Sequence, residues 1–270
     1  MEQRTMDVHK TGLRLAALGD IHITRASQGT LQPLLAQVAA SADILLIAGD
    51  LTAYGLPEEA HVLARELSAG AKFPVLAVLG NHEYESGKQD EVSAILSEAG
   101  VRMLDGEPCE MMGVGFAGVK GFGGGFNERA LEPWGEPSMK QLVQDAVQET
   151  LKLGSALSRI RAPHRVALLH YSPIQATVEG EPREIYPFMG SSRLEEPIDR
   201  YRVTVVFHGH AHHGRPEGRT RGGVPVFNVG TPLLQRHFPH QPPFRLFTIP
   251  IDQPVDVGER QEPAFGSAVP

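Results

Sequence analysis

Cysteine is close to absent from this chain. Cys109 stands alone among 270 residues, which excludes an intrachain disulfide and a thiolate metal cluster. Any metal must therefore be held by His, Asp, Glu, Asn or water. Long hydrophobic runs are also missing: none approaches the roughly 20 residues needed to span a bilayer, and the opening MEQRTMDVHKT lacks the apolar core of a secretory signal. A cytoplasmic location with no membrane partner is the expectation. Nor is there a surplus of positive charge. Lys and Arg number 25 against 32 Asp and Glu, a formal net charge of -7, which argues against a general nucleic-acid or membrane-surface binder. A phosphate substrate stays open, because bound metal ions reverse the local field. Internal repeats, heptads and a dividing Pro/Gly/Ser linker are absent as well. The expectation is one domain over residues 1–270, with 1–11 and 253–270 as peripheral tails, and the 41% hydrophobic content is enough for a sizeable core.

What is present begins with alternating strand and helix signals. Leu13 to Leu18 reads as a strand, 31–41 as a helix, and Ile44 to Ile47 in DILLIAGD as a strand buried on both faces. Pro57 to Ala69 reads as an amphipathic helix, Val75 to Leu79 as a strand, and Lys88 to Ala99 as a helix. Residues 101–119 change character, with Asp-Gly and repeated glycine between short apolar pieces, and read as antiparallel strands or a hairpin. A glycine-rich loop at 121–137 precedes a long helix over 138–160. It is not a phosphate-binding P-loop, since no Gly-Lys-Ser/Thr follows. Val166 to Leu169 is a further strand, 172–197 an irregular segment, Val203 to Phe207 another strand, and Val224 to Val229 and Phe244 to Ile251 closing strands. Both long loops have two readings, a substrate-facing wall or a contact between copies in a homo-oligomer.

Five of these apolar runs end in side chains able to bind metal: Asp20 and His22, Asp50, Asn81 and His82, His170, then His210 and His212. With the strands side by side, their carboxyl ends bring these groups to one edge of a sheet, where ligands bind in open α/β folds. In Asp20-Ile21-His22 and His210-Ala211-His212, an extended backbone points residues two apart the same way. Imidazole, carboxylate and amide oxygen together suit borderline or hard ions such as Mn, Fe, Zn or Co. Seven donors, with His82 set aside, exceed what one open catalytic metal needs and match two metals sharing a carboxylate. His208 faces away from this alternation and His213 lies outside it, so both are read as structural or exposed.

These blocks, Asp20-Ile21-His22, Gly49-Asp50, Gly80-Asn81-His82-Glu83, His170 and Gly209-His210-Ala211-His212, resemble in order the signature of calcineurin-like metallophosphoesterases. The resemblance implies an α/β (α+β) four-layer sandwich, two packed mixed β-sheets flanked by helices. It implies one metal on Asp20, His22 and His212, a second on Asn81, His170 and His210, and Asp50 bridging them. Two divalent or trivalent ions (Mn, Fe or Zn) then activate a bridging hydroxide for attack at phosphorus. His82 becomes the catalytic residue that contacts the phosphoryl group and protonates or stabilises the leaving oxygen, and Glu83 orients its neighbours.

Departures from the pattern narrow the reading. The Asp-Arg-Gly element of the related protein phosphatases is replaced after Asp50 by Leu51-Thr52-Ala53-Tyr54-Gly55, which counts against protein phosphatase activity. The compact form is similar to small prokaryotic phosphodiesterases, including the class III cyclic-nucleotide group, and the expected substrate is a small or nucleotide-like phosphate ester. Two alternatives stand beside it: a DNA or RNA nuclease using Arg215, Arg219 and Arg221, and a non-catalytic scaffold, which has no reason to keep every ligand and His82.

Overall fold

The computed structural model describes residues 12–251; the tails expected at 1–11 and 253–270 lie outside them. In chain order the elements are β1 (Leu13–Leu18), α1 (Gln32–Ser41), β2 (Ile44–Ala48), α2 (Pro57–Gly70), β3 (Val75–Val78), α3 (Gln89–Glu98), β4 (Arg102–Met103), β5 (Cys109–Met111), β6 (Val114–Val119), α4 (Pro137–Arg159), β7 (His164–Leu169), α5 (Tyr186–Met189), α6 (Glu195–Arg200), β8 (Val205–His208), β9 (Glu217–Arg219), β10 (Pro225–Asn228), α7 (Thr231–His237) and β11 (Arg245–Ile249). They form two mixed sheets, one ordered β11-β1-β2-β3-β4 and the other β5-β6-β7-β8-β10-β9.

The apolar runs that lack alternation are the strands covered on both faces. All five residues of β2 are buried. Ile44, Leu46 and Ala48 point between the sheets toward Phe116, Leu168 and Phe207, while Leu45 and Ile47 point outward against Leu63 of α2 and Leu96 of α3. The outer face of the second sheet, including Ala117, Ala167 and Val206, is covered by Leu153 and Leu157 of α4 and Ile198 of α6. The layers therefore run helix, sheet, sheet, helix, as the resemblance implied, and each fully buried leucine contributes about 1.5–3 kcal/mol.

Three expectations need correction. The five strands that carry candidate ligands are not side by side in one sheet: β1, β2 and β3 belong to the first and β7 and β8 to the second, so the donors converge from two sheets. Residues 101–119 are only partly a hairpin. β5 pairs antiparallel with β6, but β4 runs parallel to β3, and the chain changes sheets between them; a two-residue strand has no period to read. The irregular segment at 172–197 contains α5 and the start of α6, while β9 and α7 were not anticipated. These elements are short, and their order comes from tertiary contacts rather than periodicity.

Candidate metal centre

Each donor leaves its strand through a tight turn, and the turns are not extended as the two-residue alternation required. Asp20, His22, Asp50 and His210 have φ of 54°, 44°, 47° and 69°, left-handed values that cost a non-glycine residue about 1–2 kcal/mol each. Such strain persists where the surroundings over-determine it, and it collects at functional sites. Here the surroundings are cross-strand hydrogen bonds: Asp20 N–H donates to the Gly49 carbonyl and His22 N–H to that of Asp50, both at 3.0 Å. Gly49 (φ 82°) and Gly80 allow the close approach. A Cβ on Gly49 would strike the His170 ring, and one on Gly80 would strike the Asp50 carboxylate.

The turns gather the donor atoms into three overlapping groups, Asp20/His22/His212, His22/Asp50/His82 and Asp50/His170/His210, the atoms within each lying within 4.8 Å of one another. His210 and His212 thus face different groups, contrary to the alternation argument, because the backbone reverses between them: Ala211 N–H donates to the Gly209 carbonyl (2.8 Å) and His212 N–H to that of His210 (3.1 Å). Asp50 lies between the outer groups. Its Oδ1 is 3.3 Å from His170 Nε2, and its Oδ2 is 3.9 Å from His22 Nε2 and 3.8 Å from His82 Nε2. Asn81 joins the second group through Oδ1, 2.9 Å from His170 Nε2.

The donor chemistry fits cations. The Ala48 carbonyl can only accept, so His170 Nδ1 donates to it (2.9 Å) and Nε2 is left facing Oδ1 of Asp50 (3.3 Å) and Oδ1 of Asn81 (2.9 Å). A cation here would meet one imidazole nitrogen and two oxygens, a mixed donor set suited to borderline or hard ions. His210 Nε2 is engaged by the Phe188 carbonyl at 3.1 Å, leaving Nδ1 as its free donor atom. Burial, aided by the neighbouring His170, pushes the His210 pKa down to about 3, which keeps the ring in the neutral form that metals bind. Burial alone would raise the Asp20 pKa, but His212, His170 and the His210 N–H outweigh it and hold the carboxylate below its usual range. His212 Nε2 lies 3.2 Å from Asp20 Oδ1.

His82 is held differently. Its backbone N–H donates to Asp50 Oδ1 (3.0 Å), and its Nδ1 meets the Ala53 carbonyl at 2.6 Å, which leaves Nε2 facing the donors. Burial lowers its pKa, but the Ala53 carbonyl and the Asp50 and Glu85 charges reverse this and the net shift is upward. Behind it, fully buried Glu83 accepts from Thr52 N–H and Oγ1–H (both 2.8 Å) and from Gly80 N–H (2.7 Å). One carboxylate thereby ties the turn after β2 to the turn after β3.

His208 is buried and structural, as expected: Nδ1 meets the Gly209 carbonyl and Nε2 the Thr177 hydroxyl, both at 2.8 Å. Exposed His213 is absent from the three donor groups. Lys120 escaped the sequence reading, although it follows β6 as the donors follow their strands. Its ammonium lies 5.1, 4.6 and 5.0 Å from the ring centroids of Tyr84, Phe122 and Tyr171, and it lines a cavity of about 400 Å³ together with Asn81. The basic patch expected of a nuclease is engaged internally. Arg215 pairs with Glu179 (3.0 Å) and Arg221 with Glu195 (3.0 Å), while Arg219 donates to the Gly223 carbonyl (2.9 Å).

Comparison with known proteins agrees with this arrangement. No match was found among curated protein sequences. Among solved structures, the chain is similar to phosphopantetheinyl hydrolase from Mycobacterium tuberculosis, with a TM-score of 0.63 and 17% identity over 90% of this chain and 97% of that one. It is also similar to the protein TT1561 of Thermus thermophilus (TM-score 0.50, 16% identity, 83% and 91% covered). A third is a putative 5'-nucleotidase from Staphylococcus aureus (TM-score 0.50, 15% identity, 82% of this chain and 49% of that one). At these identities the structural likeness concerns the fold. Residues 13–214, which hold every donor described above, match the calcineurin-like phosphoesterase family, and the chain belongs to that family of metal-dependent phosphate ester hydrolases.

Proposed function

We propose that this chain is a phosphodiesterase for a small or nucleotide-like phosphate ester, with two ions (Mn, Fe or Zn) held by the seven donors. In this reading Asp20, His22 and His212 hold one ion and Asn81, His170 and His210 the other, and Asp50 is shared. The observation that carries it is the split of the Asp50 carboxylate, one oxygen toward His170 and the other toward His22 and His82. When bound, the ions supply Lewis acidity that neutralises the phosphoryl oxygens and acidifies water.

The chain's own residues supply the rest. With the Ala53 carbonyl holding a proton on Nδ1, His82 in its imidazolium form carries its second proton on Nε2, the atom turned toward the donors. It gives that proton to the departing alkoxide, and its raised pKa increases the fraction of rings able to do so near neutrality. Glu83 positions His82 and Asp50 through the backbone that it ties together. Two separate cavities favour a diester, which has two arms to accommodate. One is lined by Asn81 and Lys120; the other is lined by Pro187, next to the Phe188 carbonyl that meets His210. A cytoplasmic setting belongs to the same proposal.

The test is a hydrolysis panel of bis-p-nitrophenyl phosphate, p-nitrophenyl phosphate, cyclic nucleotides and single-stranded DNA, with Mn restored after chelation. Metal-dependent turnover with a preference for small diesters is expected. Activity on DNA alone would replace this reading with a nuclease, and a preference for the monoester would overturn the diesterase assignment.

A further inference from the structure

Beside the candidate centre lies a cavity of about 750 Å³ lined by Arg129, Arg183 and Arg215, a concentration of guanidinium groups in a chain whose formal net charge is -7. Its walls are fastened to the metal-binding turn. Glu181, in the lining, accepts from His213 N–H at 2.6 Å, and Pro187, also in the lining, adjoins Phe188, whose carbonyl meets His210 Nε2. Two carboxylates share the lining, but both are engaged: Glu179 with Arg215, and Glu181 with the His213 amide. Among the described residues no ion pair or hydrogen bond engages the side chains of Arg129 and Arg183. The cavity also contains Phe126 and Tyr186, an edge-on ring pair with centroids 6.5 Å apart. Its size falls within the range of about 300–1,000 Å³ usual for small-molecule sites.

Resting on the phosphoesterase reading above, we infer that this cavity binds a second, uncleaved phosphate of the substrate, so that the ester taken by this enzyme carries a phosphate on one of its arms. A terminal phosphate brings roughly two negative charges and three acceptor oxygens at neutral pH. Guanidinium forks match such an oxygen set in charge and plane. Three arginines against Glu179 and Glu181 leave the lining net positive, Arg129 and Arg183 supply the free guanidinium groups, and the two rings give the connecting organic arm an apolar surface.

Calorimetric titration of the Mn-loaded protein with alkanediol bisphosphates of graded length, each beside its matched monophosphate, tests this. At least one bisphosphate should bind about tenfold or more tightly than its monophosphate, as expected for charge-assisted contacts. The ratio should collapse to parity in the Arg129→Ala/Arg183→Ala double variant. Comparing ratios cancels any general loss of affinity, and if the double variant does not fold, Arg129→Gln and Arg183→Gln at these exposed positions should each remove part of the preference. Absence of preference throughout the series, or a preference that survives the substitutions, overturns the inference. Bis-p-nitrophenyl phosphate hydrolysis in the same wild-type sample separates the two failures. Turnover without a bisphosphate preference defeats this inference alone, and absence of turnover defeats the reading on which it rests.

Discussion

The rim that gathers the metal donors and the loop wall beside it are built by different means. On the rim, four donor residues hold left-handed backbone angles, and a buried glutamate ties two of the turns together. In the wall, the 121–137 and 172–197 segments meet through an isolated pairing of Gly125 with Ser191, and the second closes on itself through Ser172 and Gly190; Gly124 and Gly125 donate to the Pro187 and Gly190 carbonyls at 2.6 and 2.9 Å. The rim fixes atoms whose positions the chemistry requires. The wall determines the shape and charge of what reaches them. His208 joins the two regions, meeting the rim at Gly209 and the wall at Thr177.

The largest effect that would break this contrast lies at Asp50. Asp50→Ala should weaken both metal sites and abolish turnover, and elemental analysis showing clean loss of one ion would refute the shared carboxylate. His82→Ala comes next, with kcat falling about 10²–10⁴-fold, the usual range for a general acid, while both metals stay bound. Loss of metal from that variant would move His82 into the ligand set.

The junction gives a pH test. Burial pushes the His208 pKa down to about 4, below the ordinary value of about 6.5. The neutral ring therefore contributes stability that is fully present above that ordinary value and lost as pH falls through 4. The loss should reach about 3 kcal/mol, and His208→Gln should flatten this part of the curve in denaturant unfolding followed across the interval. An unchanged slope would show that the rim and wall are not coupled through His208. The smallest of these effects is assigned to Glu83→Gln, which should lower kcat about 10–100-fold, the range seen for residues that orient ligands, with the pH profile of His82 displaced. A fall in stability alone, with kcat and profile intact, would reduce Glu83 to a structural brace.

The same contrast explains what the sequence disclosed. Asp20, His22, Asp50, Asn81, His170, His210 and His212 were legible because few residue types bind metal and each follows an apolar run, a local signal. Their backbone geometry was not: Asp20 and His22 looked extended, and only cross-strand hydrogen bonds to Gly49 and Asp50 show that they occupy turns. The four layers were reached through resemblance, and the alternating strand and helix periods supported them. The division of strands between two sheets was hidden, because a strand buried on both faces reads alike in either. Lys120 and Arg129 were missed for a related reason. A lysine or arginine in a loop carries no periodic mark, and its surroundings are set by groups distant in sequence.

The most direct test of the central claim is a metal titration of the chelated protein, with bound Mn and bis-p-nitrophenyl phosphate hydrolysis followed in the same samples. Saturation at about two ions per chain, with turnover tracking the second, is the predicted result for a shared two-metal centre. Saturation at a single ion, or turnover complete before the second binds, would contradict it.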